Sequence, residues 1–419
     1  MSDKQNQIDN IQRKAFLWNT CGGMLNAFQS VIILMVLTRT LGLYDAGVFT
    51  IAYASANLFL TIGKYGIRPF QATDINEQYN FREYRWARYI SALAMFLVTI
   101  GYIVYVVSVQ EYSFDKAAVI FFMCILKLID AVEDVYIGRY QQKGRLDIGA
   151  KVMTIRISIT ILVFIAGLFV VRNLLTTLIL TVVISILSCV AMIMRTYGEF
   201  RGENSEIKPI NIRNLLWECF PLCISNFLSF YIGNAPKYAI DAQLGEEVQA
   251  CYGFISMPVF VIGLLSTFIF QPILTKMAME WSDRKVRQFV KRVFQQCGYI
   301  VVITVAALVG GYLLGIPVLS ILYNTDLSNY KANMLVLLAG GGVLALASFM
   351  VIVLTIMRDQ KSIILGYGVA AILAAVLSPI SVQRFAIDGA CYLYLALMLI
   401  TTLIFTLIVI LKIHQAAKK

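Results

Sequence analysis

Cys391-Tyr-Leu-Tyr-Leu-Ala-Leu-Met-Leu-Ile-Thr-Thr-Leu-Ile-Phe-Thr-Leu-Ile-Val-Ile-Leu411 runs for 21 residues without a charged side chain. A helix rises 1.5 Å per residue, so about 20 apolar residues cross the ~30 Å of hydrocarbon in a bilayer. Eleven more runs of this kind centre near Gln29, Ser55, Phe96, Leu126, Val163, Ile184, Asn226, Val261, Val301, Leu346 and Ala371. The expected fold is therefore an all-α polytopic membrane protein with about twelve spans. Composition agrees: of 419 residues, 59% are hydrophobic and only 14% charged, against about 45–50% and 25% in soluble chains. A soluble chain so poor in charge could not cover its surface, which excludes a soluble enzyme, a nucleic-acid binder or a disordered protein.

The formal net charge of +11 has an ordinary explanation in a membrane protein, because cytoplasmic loops collect Lys and Arg. When loops are assigned alternately to the two sides, only Arg39, Lys116, Arg172, Lys237, Lys331 and Arg384 fall on one side. Lys127 and Arg156 fall inside spans, and the remaining basic residues fall on the other side. This asymmetry predicts both termini in the cytoplasm and an even number of spans. The polar opening, Met1 to Asn10, does not read as a signal peptide. The longest polar stretches, around Ala72–Arg85 and Met279–Gln296, read as helical extensions on the basic side. None of the eight cysteines forms a CxxC pair. Cys219 and Cys223 share a helix face, but the single histidine, His414, is far away. No metal site, His-based triad or cofactor is expected.

Gly198–Asn211 divides the chain into six spans and six spans, predicting lobes over 1–198 and 213–419 joined by a linker at 199–212. The halves carry matching features at one offset. Leu41-Gly42 recurs as Leu244-Gly245, Pro69 as Pro272, Arg82 as Lys285 and Arg88 as Lys291, while Trp18 and Trp217 mark similar entries into the first span of each half. Six-span units repeated in this way run in the same direction, related by an axis along the membrane normal.

Polar residues within spans are costly and face a bundle interior or a wet cavity. At about 100° per residue, Asn19, Gly23, Asn26 and Ser30 share a stripe of the first span. Tyr53, Asn57, Thr61, Lys64 and Arg68 do so in the second. Asn226, Ser229, Gly233, Lys237 and Asp241 do so in the seventh, where Pro236 is placed to break the helix. Packing through small residues and interhelical hydrogen bonds competes with a cavity role for the Asn, Ser and Gly positions. For Lys64, Arg68 and Lys237 the cavity reading leads over snorkelling, and for Arg39 anchoring and cavity roles stand level. The fourth span carries Lys127-Leu-Ile-Asp130-Ala-Val-Glu133-Asp134, with Lys127, Asp130, Asp134 and Gln141 in one arc. This reads either as a self-neutralising Lys127–Asp130 pair with Glu133 and Asp134 solvated at the helix end, or as a charged lining that binds a cation or proton or orients a basic anion-binding site. Arg156 has no acid at i±3 or i±4, so its partner must come from another helix or a ligand.

Three segments carry a family resemblance: Thr38-Arg-Thr-Leu-Gly-Leu-Tyr-Asp-Ala-Gly47, Tyr140-Gln-Gln-Lys-Gly-Arg-Leu-Asp147 and Asn234-Ala-Pro-Lys-Tyr-Ala-Ile-Asp241. Together with twelve spans in two lobes, they make the chain resemble the polysaccharide (Wzx-type, O-antigen or capsule repeat-unit) flippases of the multidrug/oligosaccharidyl-lipid/polysaccharide exporter superfamily. The resemblance implies two six-helix lobes around a central cavity lined by cations, in a bacterial cytoplasmic (inner) membrane. It implies movement of undecaprenyl-diphosphate-linked oligosaccharide from the inner to the outer leaflet by alternating access, with no enzymatic step. Arg39 and Lys237 fall within the matching segments, whereas Lys64, Arg68, Lys127 and Arg156, with Asn26 and Asn57, rest on the helical-face argument. Asp130, Glu133, Asp134 and Asp241 are the candidates for coupling to sodium or protons. Expected partners are the lipid-linked oligosaccharide, membrane lipids, a coupling cation and the glycan polymerisation machinery, without nucleic acid. An ion-coupled multidrug exporter of the same superfamily is the alternative. A membrane polysaccharide polymerase or acyltransferase is a second one, opposed by the short outer loops and the lack of a nucleophile-plus-base motif.

Overall fold

In a computed structural model, described for residues 2–74, 77–197, 207–270 and 273–417, the described residues are almost entirely helical. The first six passes are α1 (Ser2–Leu41), α2 (Leu43–Lys64) with the short α3 (Ile67–Thr73), α4 (Phe81–Ser108), α5 (Phe114–Gln142), α6 (Leu146–Val171) and α7 (Leu174–Tyr197). Then come α8 (Pro209–Gln243), α9 (Glu246–Ser256) with α10 (Val259–Phe270), α11 (Leu274–Ser282), and α12 (Val286–Gly310), continued through a π-helical turn (Gly311–Gly315) into α13 (Ile316–Tyr323). The last elements are α14 (Lys331–Ile356) and α15 (Gln360–Ala417). Among the described residues, ten helical segments are long and apolar enough to cross a membrane. α5 reaches the length but carries charge. α15 is two helices that meet at Ala386, where φ is 48° and ψ −132°. Counting both gives the twelve passes expected, and every expected span centre falls inside one of them.

The chain divides into two compact units, 1–227 and 228–419, with the boundary inside α8. Most of the expected linker, and Pro272 of the proposed repeat, lie outside the described residues. Pro236 does not break α8, which runs unbroken from Pro209 to Gln243. A proline deletes one ladder hydrogen bond, a loss that a helix packed among others absorbs. The Ala72–Arg85 stretch is not a continuous extension either. α3 stops at Thr73, and the chain reaches α4 through a loop built on Asp74. The carboxylate of Asp74 accepts from the Gln78 and Tyr79 amides and from the Tyr84 hydroxyl.

Each unit is organised around its fourth pass. In the first, α5 packs against α2, α3, α4, α6 and α7. In the second, α14 packs against α9, α10, α11, α12 with its π-helical turn, and α15. α14 solves the packing with size. A Cβ on Gly340 would stand 2.6 Å from the Tyr394 ring, one on Gly341 2.7 Å from Val259, and one on Gly342 2.2 Å from Thr304. Three successive glycines thus admit three different neighbouring helices. α5 solves it with charge, as described below.

The repeat is visible in the backbone. Gly42 (φ 94°, ψ −170°) and Gly245 (φ 83°, ψ 175°) adopt the same conformation, each at the N-cap of the second helix of its half. This region is essentially closed to residues with a Cβ. Each glycine carbonyl accepts the amide four residues on, from Ala46 and from Gln249. At α15 the reversal is equally tight. Ser381 Oγ donates to the Gly389 carbonyl at 2.9 Å, and a Cβ on Gly389 would lie 2.2 Å from the Ser381 carbonyl oxygen.

On the face where α3 meets α4, polar groups clasp four helices. Glu77 accepts from Lys143 Nζ (2.5 Å) and Arg139 Nη1 (3.2 Å) at the end of α5. Gln142 Nε2 donates to the Asp74 carbonyl. Glu83 closes a capping box with Asn80 at the start of α4 and also accepts from Asn211 Nδ2 and the Lys208 amide at the start of α8.

Gly42→Ala and Gly245→Ala should each lower stability by about 1–3 kcal/mol through backbone strain alone, since neither site has a heavy atom within 4 Å of the new Cβ. Thermal unfolding of the purified variants in detergent measures this, and unchanged melting would contradict the assigned dihedrals. The hydrogen bond from Lys143 holds the Glu77 carboxyl below its usual range. A carboxyl with a depressed folded-state pKa stabilises the fold above its unfolded pKa and loses that contribution as pH falls through the folded one. Glu77→Gln should therefore change stability little, because the pair is exposed. It should also flatten the acid limb of melting temperature against pH below the ordinary carboxylate range.

Candidate functional site

α2 is buried on nearly every side. From Ala46 to Gly63 its partly exposed positions are Tyr53, Asn57, Thr61 and Ile62, followed by Lys64 and Tyr65 at its end. A pass whose open face is mainly polar does not present that face to lipid. The helix ends where Tyr65 (φ 51°) and Gly66 (φ 69°) take left-handed conformations. The broken ladder turns the Gly63 carbonyl into an acceptor for side chains, and Arg88 Nη1 (2.5 Å) and Ser91 Oγ (2.8 Å) take it. Pro69 sits in the first turn of α3, where a missing N–H costs nothing.

Against this break stands the charged row of α5. Asp134 accepts from Arg88 Nη2 at 2.8 Å and from Arg68 Nη1 at 3.4 Å, one on each oxygen. One turn earlier, Asp130 accepts from Lys127 Nζ (3.1 Å) and from Arg156 Nη2 (2.6 Å), again one on each oxygen. Glu133 accepts from Arg156 at 2.8 Å through Oε2, while its Oε1 is buried without a hydrogen-bond partner. Arg156 Nη1 reaches Ser185 of α7 at 3.3 Å. Lys127 Nζ lies 4.9 Å from the centre of the Tyr53 ring, a cation–π distance. Arg68 Nε donates to Gln141 Oε1. Lys64 stands at the edge, within electrostatic range of Asp130 and with no ion-pair partner among the described residues.

The cluster holds five cations, Lys64, Arg68, Arg88, Lys127 and Arg156, against three carboxylates. Buried carboxylates require this pairing, because taking an ion out of water costs several kcal/mol unless a counter-ion and hydrogen bonds replace the lost hydration. The surplus is positive, and it is accessible. Arg88, Lys127 and Arg156 are sealed at 0%, 2% and 2% exposure, while Lys64 and the Arg68 side chain, at 24%, are open. The arrangement suits an anion on the open side, with the sealed cations holding the carboxylates that orient it.

The structure thus gathers Lys64, Arg68, Lys127, Arg156, Asp130, Glu133 and Asp134 into one network, with Asn57 on the adjoining face, where its amide donates to the Tyr53 carbonyl. It satisfies Arg156 from another helix. It retains the Lys127–Asp130 pair but does not leave Glu133 and Asp134 solvated, since they are 2% and 6% exposed. Lys127 and Arg156 are enclosed rather than open to a ligand. Asn26 and Arg39 lie exposed on α1, outside the network. Lys237 and Asp241 belong to the second unit, where Lys237 is half-buried without an ion-pair partner among the described residues and Asp241 is buried. Arg88, which the charge asymmetry counts with the basic residues of the cytoplasmic side, is a fully buried member of the site. Its helical face, shared with Tyr84, Ser91 and Met95, all buried, was the available signal.

Arg156→Leu leaves Glu133 with no counter-ion, and breaking such a buried pair should cost about 3–5 kcal/mol. The double variant Arg156→Leu/Glu133→Leu should recover much of that. A double-mutant cycle from detergent melting reads the coupling, and additive losses would show that the two residues do not act together.

A family model described as "Polysaccharide biosynthesis protein" matches residues 13–278, more than half of the chain. None of the curated proteins matches it. Among solved structures, the chain is similar to an inward-facing multidrug resistance MATE family transporter of the MOP superfamily, with a TM-score of 0.71 and 11% identity over 95% of this chain and 96% of that one. It is similar to the lipid II flippase MurJ in an inward closed conformation, with a TM-score of 0.66 and 12% identity over 95% and 86%. It is also similar to the Vibrio cholerae MATE transporter VcmN in a bent form, with a TM-score of 0.63 and 10% identity over 98% and 99%. At such low identity these likenesses establish the fold, a two-lobed, multi-pass helical architecture. With that fold and the family match together, the chain belongs to the polysaccharide biosynthesis protein family.

Proposed function

We propose that this protein is a flippase that moves undecaprenyl-diphosphate-linked oligosaccharide repeat units, of O-antigen or capsule type, from the cytoplasmic to the outer leaflet of a bacterial inner membrane, with both termini in the cytoplasm. The observation that carries the reading is the open face of α2. Lys64 and Arg68 supply positive charge that the buried carboxylates do not cancel, and Tyr53, Asn57 and Thr61 continue it with groups that hydrogen-bond and stack. A diphosphate crossing a bilayer needs counter-charge in place of water, and sugars need polar edges and aromatic faces. The family match to polysaccharide biosynthesis and the likeness to a protein named as a lipid II flippase support the same substrate class. Lys237, charged and without an ion pair in the second unit, is proposed as a further contact to the substrate, and Arg39 and Asn26 as contacts along its route. Transport occurs without a covalent step, and the glycan polymerisation machinery receives the product.

The coupling ion in this reading is a proton, and its site is Glu133. Both oxygens of Asp130 and of Asp134 are engaged by cations, whereas Glu133 Oε1 is unengaged. A single spare oxygen can take a proton but does not make a sodium shell. Asp241, buried in the second unit, is the alternative proton site.

Deleting the gene should cause lipid-linked oligosaccharide to accumulate on the inner leaflet, detected by extraction and chemical identification of the sugar. Restoring Lys64→Ala or Lys237→Ala should give normal membrane insertion with surface polysaccharide reduced about tenfold or more, as expected when a charge-assisted contact worth about 1.5–3 kcal/mol is lost. Glu133→Gln should make transport insensitive to collapse of the proton gradient. Full export by the Lys64 and Lys237 variants would sink the cationic site. Drug sensitivity with intact glycan would instead favour a multidrug exporter, and loss of polymer with repeat units still reaching the outer face would favour a polymerase.

A further inference from the structure

The two units use corresponding basic residues in opposite ways. In the first, Arg88 points inward, where Asp134 of α5 neutralises it. Its counterpart in the repeat, Lys291 of α12, lies on the outer side of its helix, away from the buried Phe289, Val293, Gln296 and Ile300. Lys291 is exposed, as are Arg284 and Arg287. None of the three has an ion-pair partner among the described residues. Neighbouring charges are already used: Lys285 pairs with Asp283 at 2.9 Å and Arg292 with the buried Glu280 at 2.5 Å.

The segment that presents these cations is built. Arg284 takes a left-handed conformation (φ 57°) that ends α11 and reverses the chain into α12. Trp281 packs on Phe289 with ring centres 5.0 Å apart, and the Glu280–Arg292 pair ties the two helices together. On α12, Arg287 and Lys291 lie on the same helical face as Phe294, Val302, Val305 and Val309, at 100° per residue. Those four apolar residues are 53–74% exposed. The face is therefore an apolar strip of one pass, capped at its end by two uncompensated cations. The outward face of α4 also carries exposed apolar residues, Leu93 and Leu97, but it is capped by Trp86 and Tyr89. Aromatic caps anchor a helix at an interface without selecting lipid charge, and cationic caps select it.

We propose that the α11–α12 edge is a binding site for an anionic phospholipid of the phosphatidylglycerol type, its acyl chains along the α12 strip and its phosphate held by Arg287 and Lys291 with help from Arg284. A soluble anion would have no use for the apolar strip, and a neutral lipid would leave three cations uncompensated. The site belongs to the second unit alone and does not depend on what the protein transports.

The full-length protein is placed in nanodiscs of phosphatidylcholine with or without phosphatidylglycerol, and retained lipid and melting temperature are measured. The wild type is expected to retain phosphatidylglycerol preferentially and to melt higher in its presence, with the preference fading at high salt as surface charges are screened. The triple variant Arg284→Gln/Arg287→Gln/Lys291→Gln should lose the preference, by about fivefold per charge removed, while melting as the wild type does in phosphatidylcholine alone. The charge-preserving pair Arg287→Lys/Lys291→Arg should keep it. If the triple variant does not fold, Lys291→Gln alone must still reduce retention by about fivefold. No preference in the wild type, or an unaltered one in the charge-removed variants, overturns the proposal. So does retention of undecaprenyl diphosphate rather than phosphatidylglycerol at these residues, which would make the edge a substrate entry point.

Discussion

Three carboxylates inside a membrane protein set the terms for the whole first unit. Asp130, Glu133 and Asp134 sit on the helix that touches five others, and none can be ionised there without a cation within reach. The cations arrive from α3, α4 and α6 and from α5 itself. Each connection fixes a helix. Arg88 ties α4 to the broken end of α2, and Arg156 ties α6 to α5 and, through Ser185, to α7. The network is structural in this sense, but its count is unbalanced toward positive charge. The residues that carry the excess are the open ones.

The second unit reaches the same plan by another route. α14 carries no acid and only Lys331 at its start, so apart from hydrogen bonds such as Asn333 to Asp388 its neighbours are held by packing. The glycine triplet brings α10, α12 and α15 close enough for dispersion to hold them. Two hubs at equivalent places in a repeat thus differ in kind. Ion pairs in a low-dielectric core respond to a change of charge nearby, whereas glycine-mediated packing does not.

Much of this was legible in the sequence. The length and spacing of apolar runs gave the passes, and the arc of Lys127, Asp130 and Asp134 marked α5 as internal. The matched glycines at 42 and 245 announced the repeat that their shared dihedrals display. What could not be read was which basic residue meets which acid. Helical periodicity fixes a face but not the neighbour opposite it, so the partners of Arg156 and Arg68 emerged only from the packing. Arg88 was hidden for a different reason: two exposed-looking arginines precede it, and only the freed Gly63 carbonyl and Asp134 explain its burial. Pro236 misled because a proline's local cost says nothing about the neighbours that absorb it.

The reversal at Ala386 has a mechanical meaning. Two passes, 360–385 and 387–417, meet without an intervening loop, and Ser381 and Gly389 lock them across the bend. Such a joint has no slack, so the final pair forms a single strut rather than two independent rods. A displacement of one of these columns therefore carries the other with it, and play between passes belongs to junctions where the chain has a loop.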